Sequence, residues 1–246
     1  MSPTDHVANE SQAVILAGGL GTRMRPTTET IPKPMIEVAG KPFLQWQLEL
    51  LAAAGIQRTL LLVGYLGEQI QRFFGDGGTF GCRISYSFEP MPLGTGGALK
   101  NAEWQLQDYF VLVNGDTYLA IDYRGLLRKF RELDCAALIV GYEKTEKAAQ
   151  DIPANHVPNN LAIRSDGVVS AYQKRSPEGM SHIDAGVIVL KKKIVARLVA
   201  DRVCSLEEEI YPQLVEEGEM RAWSSSEPFY DMGTPAGLAA LENKFK

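Results

Sequence analysis

Along most of the chain, short apolar runs of strand length alternate with longer segments in which apolar residues recur every three or four positions. The runs predict strands at 13–17, 58–63, 83–88, 109–113, 135–141, 161–164, 168–173, 183–190 and 219–224. The helical period predicts helices at 42–54, 67–74, 97–107, 123–133, 192–200, 205–217 and 235–245. Pro42 suits a first helical position and Gly55 a stop. Ser205 with Glu208 three residues later reads as a capping box. The strand–helix–strand rhythm of the first half predicts an α/β fold: a Rossmann-like, mostly parallel mixed sheet flanked by helices. Strands between 135 and 190 lack intervening helices, which predicts a small antiparallel extension there. The segment 145–160 reads as a surface loop.

Composition narrows the class. The 246 residues suffice for one large domain at 13–246, after a loose polar tail at 1–12. The net charge of −5 argues against nucleic acid as a partner, so an anionic substrate must meet a local cluster of bases. Cys82, Cys135 and Cys204 are far apart and form no CxxC pair, which fits reduced thiols in a cytoplasmic protein. No apolar run reaches the ~18 residues of a membrane span. The broad apolar face of 42–54 reads as core, with monomer and homodimer both open.

The chemistry concentrates in a few segments. The first strand ends in Gly18-Gly-Leu-Gly-Thr-Arg-Met-Arg-Pro26, and Lys33 follows between Pro32 and Pro34. Glycines let backbone N–H groups approach an anion, and Arg23, Arg25 and Lys33 supply charge for a polyphosphate. The prolines stiffen the neighbourhood of Lys33. Neither GxGxxG nor GxxxxGK[ST] is present, which disfavours a dehydrogenase and a P-loop enzyme. Pro92-Leu-Gly-Thr-Gly-Gly-Ala98 suggests backbone laid against a ligand at a helix start, with Thr95 bonding a base or sugar hydroxyl. The strand 109–113 runs into Asn114-Gly-Asp116, and Asp231 sits in Phe229-Tyr-Asp-Met-Gly-Thr-Pro235. Two such carboxylates suit Mg²⁺ bound together with phosphate oxygens. His156 and His182 receive no role.

These segments, in this order over about residues 13–245, resemble the successive motifs of the sugar-1-phosphate nucleotidylyltransferases. The short chain and Leu93-Gly-Thr-Gly-Gly97 look most like the heptose- or mannose-1-phosphate guanylyltransferase branch. The alternatives are uridylyl- or thymidylyltransferases of hexose or N-acetylhexosamine 1-phosphates, or an enzyme for an alcohol phosphate such as phosphocholine. The chain ends in the helix 235–245 rather than a left-handed β-helix.

The resemblance implies transfer of a nucleoside monophosphate from a triphosphate, most simply GTP, to a sugar 1-phosphate, with Mg²⁺ as cofactor. It implies Arg23, Lys33 and Asp116 as catalytic residues. It implies a nucleotide site of Leu16, Ala17, Gly18, Gly19, Gly21, Thr22, Arg23, Glu89, Gly94, Thr95 and Gly96. The sugar phosphate would meet Lys33, Gly97, Asn114, Gly141, Lys174 and Asp184, and the metal Asp116 and Asp231. Two positions depart from the family pattern: Gln173 stands before Lys174 where Glu is usual, and Asp184-Ala-Gly186 replaces Asn-Ala-Gly. Both fall where the sugar would bind, so they bear on its identity rather than on the reaction.

Overall fold

In a computed structural model, residues 11–143, 157–173 and 179–246 are described. Lys174, His156, the tail 1–10 and most of the loop at 145–160 lie outside them. Six β-strands build the first half: β1 (Gln12–Ala17), β2 (Glu37–Val38), β3 (Lys41–Pro42), β4 (Arg58–Val63), β5 (Arg83–Phe88) and β6 (Tyr109–Asn114). The remaining strands are β7 (Thr117–Leu119), β8 (Ala137–Tyr142), β9 (Leu161–Ile163), β10 (Val169–Tyr172), β11 (Ile183–Lys191), β12 (Met220–Ser225) and β13 (Phe229–Asp231). The α-helices are α1 (Phe43–Ala53), α2 (Gly67–Phe74), α3 (Gly94–Asn101), α4 (Tyr123–Leu133), α5 (Tyr211–Glu216) and α6 (Pro235–Phe245).

Seven strands form one sheet in the order β12-β8-β11-β6-β1-β4-β5. Strand β11 runs antiparallel to both its neighbours, and every other pairing is parallel. The mixed, mostly parallel sheet expected from the sequence is therefore present, with the antiparallel strand inserted where helices are missing. The period of two places alternate residues of β1 on opposite faces. Ala13, Ile15 and Ala17 join a core with Leu44, Leu48 and Leu51 of α1 and Leu126, Leu127 and Phe130 of α4. Val14 joins a second core with Leu60, Leu62, Phe110, Leu99 of α3 and Leu214 of α5. A sheet buried on both faces explains why its strands read as continuous apolar runs.

Several elements differ from their sequence prediction. Helix α1 starts at Phe43 because Pro42 pairs with Glu37 in a short hairpin. Helix α3 starts at Gly94, earlier than expected, and ends in a 3₁₀ turn at Glu103–Gln105. Residues Lys192–Arg197 form a 3₁₀ helix. The segment 205–217 opens with a π turn at Leu206–Ile210, before Pro212, which has no N–H to donate to the preceding turn. Ser205 does cap it: its hydroxyl accepts from the Glu208 N–H at 3.3 Å. The strands β2, β3, β7 and β13 are too short to show a period and were not predicted. No helix among the described residues is long and apolar enough to cross a membrane.

The parallel strands align their carboxyl ends: Ala17 pairs with Val63, and Leu16 with Asn114. Gly115 then folds onto β1, its N–H donating to the Leu16 carbonyl at 3.1 Å. A Cβ at Gly115 would lie 2.1 Å from that carbonyl oxygen, so only glycine fits. The exits of β1 and β6 are thereby held side by side at one edge of the sheet.

Leu61 is fully buried on β4. Leu61→Ala is expected to cost about 2–5 kcal/mol in urea unfolding, from lost burial plus the cavity left behind. A cost under about 1 kcal/mol would mean that this layer is not tightly packed.

Candidate active site

The loop after β1, the turn after β6 and the start of α3 enclose a cavity of about 530 Å³, within the usual range for a small-molecule site. Of the residues assigned to the nucleotide, Leu16, Ala17, Gly18, Gly19, Gly21, Thr22, Arg23, Glu89, Gly94 and Thr95 all line it, as do Lys33, Asn114 and Asp116.

Lys33 occupies a 3₁₀ turn between two prolines, as its sequence setting suggested. The Met35 N–H donates to the Pro32 carbonyl at 2.8 Å. The lysine is buried, and its Nζ donates to Asp116 Oδ2 at 2.6 Å. Asp116 is fixed in turn. Its carbonyl accepts from the Met232 N–H at 2.8 Å, and Gln47 of α1 donates to the carbonyls of Asn114 and Thr117 at 2.8 and 2.7 Å.

Strands β7 and β13 pair antiparallel, with Thr117 opposite Asp231, so Asp231 comes beside Asp116. Burial, and then the Asp116 charge, raise the Asp231 pKa; the Gly233 N–H, Lys33 and Arg23 pull it back. The Gly233 N–H donates to Asp231 Oδ1 at 2.6 Å, and Thr234, not Asp231, caps helix α6. The Arg23 guanidinium lies against Gly233, where a Cβ would sit 3.0 Å from Nη2. Arg25 lies outside the cavity, in an adjoining groove with Pro235.

Two converging carboxylates with oxygen-only chemistry fit a hard divalent cation such as Mg²⁺, which keeps several waters and takes few protein ligands. Burial is the larger cause of the raised Asp231 pKa and the Asp116 charge adds to it; a cation held by both carboxylates would relieve that second part. Among the described residues no group of three or more His, Cys, Asp or Glu side chains has metal-site spacing.

Several assigned residues sit elsewhere. Gly96 and Gly97 turn away from the cavity and pack on the segment 202–204. The Gly96 N–H donates to the Cys204 carbonyl at 2.9 Å, so it is not offered to an anion. A Cβ at Gly97 would lie 2.6 Å from the Arg202 carbonyl oxygen. The Thr95 hydroxyl donates to Glu207 Oε2 at 2.8 Å and accepts from the Leu206 N–H at 2.9 Å, so its donor is spent within the chain. Gly141 and Asp184 pair across β8 and β11 beyond the cavity. The Gly141 face meets Ile163, and the Asp184 carboxylate accepts from the Tyr172 hydroxyl at 3.1 Å and the Gly186 N–H at 2.9 Å. His182 takes a structural part, its Nδ1 2.7 Å from the Ser181 hydroxyl, with burial lowering its pKa.

Two residues that shape the site escaped the sequence reading. Gln47 interrupts the apolar stripe of Phe43, Leu44, Leu48 and Leu51, a visible signal of a buried polar anchor. Glu207 reaches the cavity from a segment more than a hundred residues away, and nothing local marked it.

A nucleotide-type cavity at the carboxyl edge of a parallel sheet, with a cationic loop and paired carboxylates, defines a phosphate-transfer class of protein. The chain belongs to the nucleotidyl transferase family, which matches residues 12–151. It is 33% identical to the D-glycero-alpha-D-manno-heptose 1-phosphate guanylyltransferase of Campylobacter jejuni, across 91% of this chain and 95% of that one. It is also 33% identical to the mannose-1-phosphate guanylyltransferase of Mycobacterium tuberculosis, across 92% of this chain but only 62% of the relative's length. In structure it is similar to HddC from Yersinia pseudotuberculosis complexed with GMP-PN: TM-score 0.80, 33% identity, 96% of this chain and 100% of that one.

Because the folded protein holds the Asp231 proton more tightly than the unfolded chain, ionising Asp231 costs stability. That cost is absent well below the ordinary value of 3.8 and complete above the raised folded value. Asp231→Asn, measured with a chelator present, is expected to melt no lower than wild type at neutral pH. The two melting temperatures should converge as pH falls through the carboxylate range. Mg²⁺ should raise the wild-type midpoint and leave that of Asp231→Asn unchanged. A variant that melts lower than wild type at neutral pH would contradict the paired-carboxylate geometry.

Proposed function

We propose that this protein transfers a nucleoside monophosphate from a nucleoside triphosphate to a sugar 1-phosphate, releasing pyrophosphate. The observation that carries the reading is the Lys33–Asp116 pair, with Asp231 and Arg23 beside it, at the mouth of the glycine-lined cavity. The sugar-phosphate oxygen attacks the α-phosphorus in line, and the bond from the α-phosphorus to the bridging oxygen of the pyrophosphate breaks. The nucleophile is already an anion near neutral pH and needs no general base.

The task of the chain is to bring two polyanions together and hold them in line. Lys33 has three donors and spends one on Asp116, leaving the others for a phosphate oxygen. Arg23 stands where it can stabilise the leaving pyrophosphate. Asp116 and Asp231 would hold Mg²⁺, which when bound neutralises phosphate charge. Lys174 is assigned to the sugar phosphate by its sequence motif, with Asp184 and Gly141 toward the sugar itself.

GTP is the favoured donor, and Glu89 is the reason. Its carboxylate is half-buried at the cavity wall, held by the Leu93 N–H at 2.9 Å and resting against Gly18. Burial raises its pKa and the Leu93 N–H opposes that rise. Guanine presents an N1–H and an N2–H side by side, which suits a carboxylate acceptor; uracil offers one N–H between two carbonyls. A manno-configured heptose 1-phosphate is the favoured acceptor, supported by full-length similarity to guanylyltransferases for that sugar.

Pyrophosphate release across four nucleoside triphosphates and a panel of heptose, hexose, N-acetylhexosamine and alcohol phosphates tests the reading. GTP with a manno-sugar 1-phosphate should be the productive pair, and turnover with alcohol phosphates alone would refute it. Lys33→Ala and Asp116→Ala should each lose about a hundredfold in rate, ~3 kcal/mol of transition-state stabilisation, while remaining folded. Glu89→Gln should lower the GTP-to-UTP preference by about tenfold or more. An unchanged ratio would remove Glu89 from base selection.

A further inference from the structure

We infer that Thr28 is a positioning residue for the nucleotide: its hydroxyl locks the Gly21 peptide, so that the loop after β1 turns an N–H rather than a carbonyl toward the phosphates. The inference rests on the proposed function, in that the triphosphate must occupy the cavity. Gly21 lines that cavity and stands in the left-handed region at φ +60°. A Cβ there would lie 2.9 Å from Thr28 Cγ2 and 3.1 Å from Lys33 Cβ, which favours glycine. The missing Cβ also lets a glycine peptide turn over at little cost, so such a loop needs a lock from outside. The Thr28 hydroxyl donates to the Gly21 carbonyl at 2.8 Å, beside the Met24 N–H at 2.8 Å. Thr28 is buried and does not line the cavity, whereas Thr22 does. The peptide unit is planar and trans, so the Thr22 N–H points opposite to the Gly21 carbonyl. Holding that oxygen on Thr28 keeps it off an incoming phosphate.

Thr28 is itself anchored. It is the one buried residue in the run 25–31, and a buried hydroxyl is costly without a partner. The backbone just after it is tied to the start of helix α2. The Tyr65 hydroxyl donates to the Glu29 carbonyl at 2.9 Å, and the Gln69 side-chain amide donates to the Thr30 carbonyl at 3.0 Å. A chain of hydrogen bonds thus runs from α2 through 28–30 to the cavity loop. Apparent affinity falls with the fraction of molecules whose loop is already in the competent shape. Loss of the Thr28 hydroxyl therefore weakens nucleotide binding and spares the chemical step, because the loop is formed in every molecule that has bound.

The test compares Thr28→Val, which keeps the shape and removes the donor, with Thr28→Ser, which keeps the donor. Affinity for the triphosphate that wild type turns over, expected to be GTP, is read by calorimetry with Mg²⁺ and without acceptor. It should fall about fivefold in Thr28→Val, the worth of one neutral hydrogen bond. The KM for that nucleotide should rise in step, with kcat and the KM for the sugar phosphate little changed, and Thr28→Ser should stay near wild type. A purely structural role would lower the melting temperature and leave the nucleotide KM where it was. Wild-type affinity in folded Thr28→Val overturns the inference, as does a loss confined to kcat. So does a Thr28→Ser variant as impaired as Thr28→Val, which would assign the effect to packing of the methyl group. If Thr28→Val does not fold, Tyr65→Phe carries the test: it frees the Glu29 carbonyl from a partly exposed position, and unchanged nucleotide affinity there overturns the inference. Each of these outcomes leaves the proposed function standing. A wild type that neither binds nor turns over any nucleoside triphosphate overturns both.

Discussion

The partly buried Lys33–Asp116 ion pair, 2.6 Å long, is the contact around which the site is arranged. Each partner comes from a different loop, and each loop is held by separate means. Two prolines and a 3₁₀ turn fix the lysine. The aspartate depends on the close passage of Gly115 over Leu16, on the two hydrogen bonds from Gln47, and on the backbone bond from Met232. These supports belong to β1, α1 and the strand pair β7–β13, which share no local sequence. A charge pair in a partly dry cleft is strong only when its geometry is set in advance, because water no longer rewards a loose arrangement. The rigid two-faced core beneath supplies that precision.

Charge is sorted across the cavity. Arg23 and Lys33 give the cavity a cationic side, and Glu89 and Glu207 lie on walls formed by the chain around α3. Asp116 and Asp231 come together near Lys33 and Arg23, and burial, with the Asp116 charge adding to it, raises the Asp231 pKa. The net charge of −5 is compatible with this, because binding responds to the local field and not to the sum over the surface. The chain is 33% identical to a heptose 1-phosphate guanylyltransferase over 95% of that relative, and to a mannose-1-phosphate guanylyltransferase over 62% of its length.

The two glycine-rich segments look alike in sequence and work differently. Gly19 lines the cavity with open space where a Cβ would stand, while Gly18 beside it makes room for the Glu89 carboxylate. Gly96 and Gly97 leave room for the protein itself, receiving the backbone of residues 202–204. Removing a Cβ permits close approach, but it does not say what approaches.

The sequence by itself determined the alternation of elements, and most of their ends, because burial on both faces writes each strand as an apolar run and each helix as a stripe. It also marked most of the residues that line the cavity. The loop 18–25, Lys33 and Asp116 lie on strand ends and short turns whose local chemistry is self-contained. Only the tertiary structure decided which glycines face the cavity, that the Thr95 hydroxyl is spent on Glu207, and that Asp231 stands beside Asp116 through the short strands β7 and β13. Those facts depend on contacts spanning more than a hundred residues, between segments too short or too irregular to carry a period. Distance along the chain hides such meetings, and packing alone creates them.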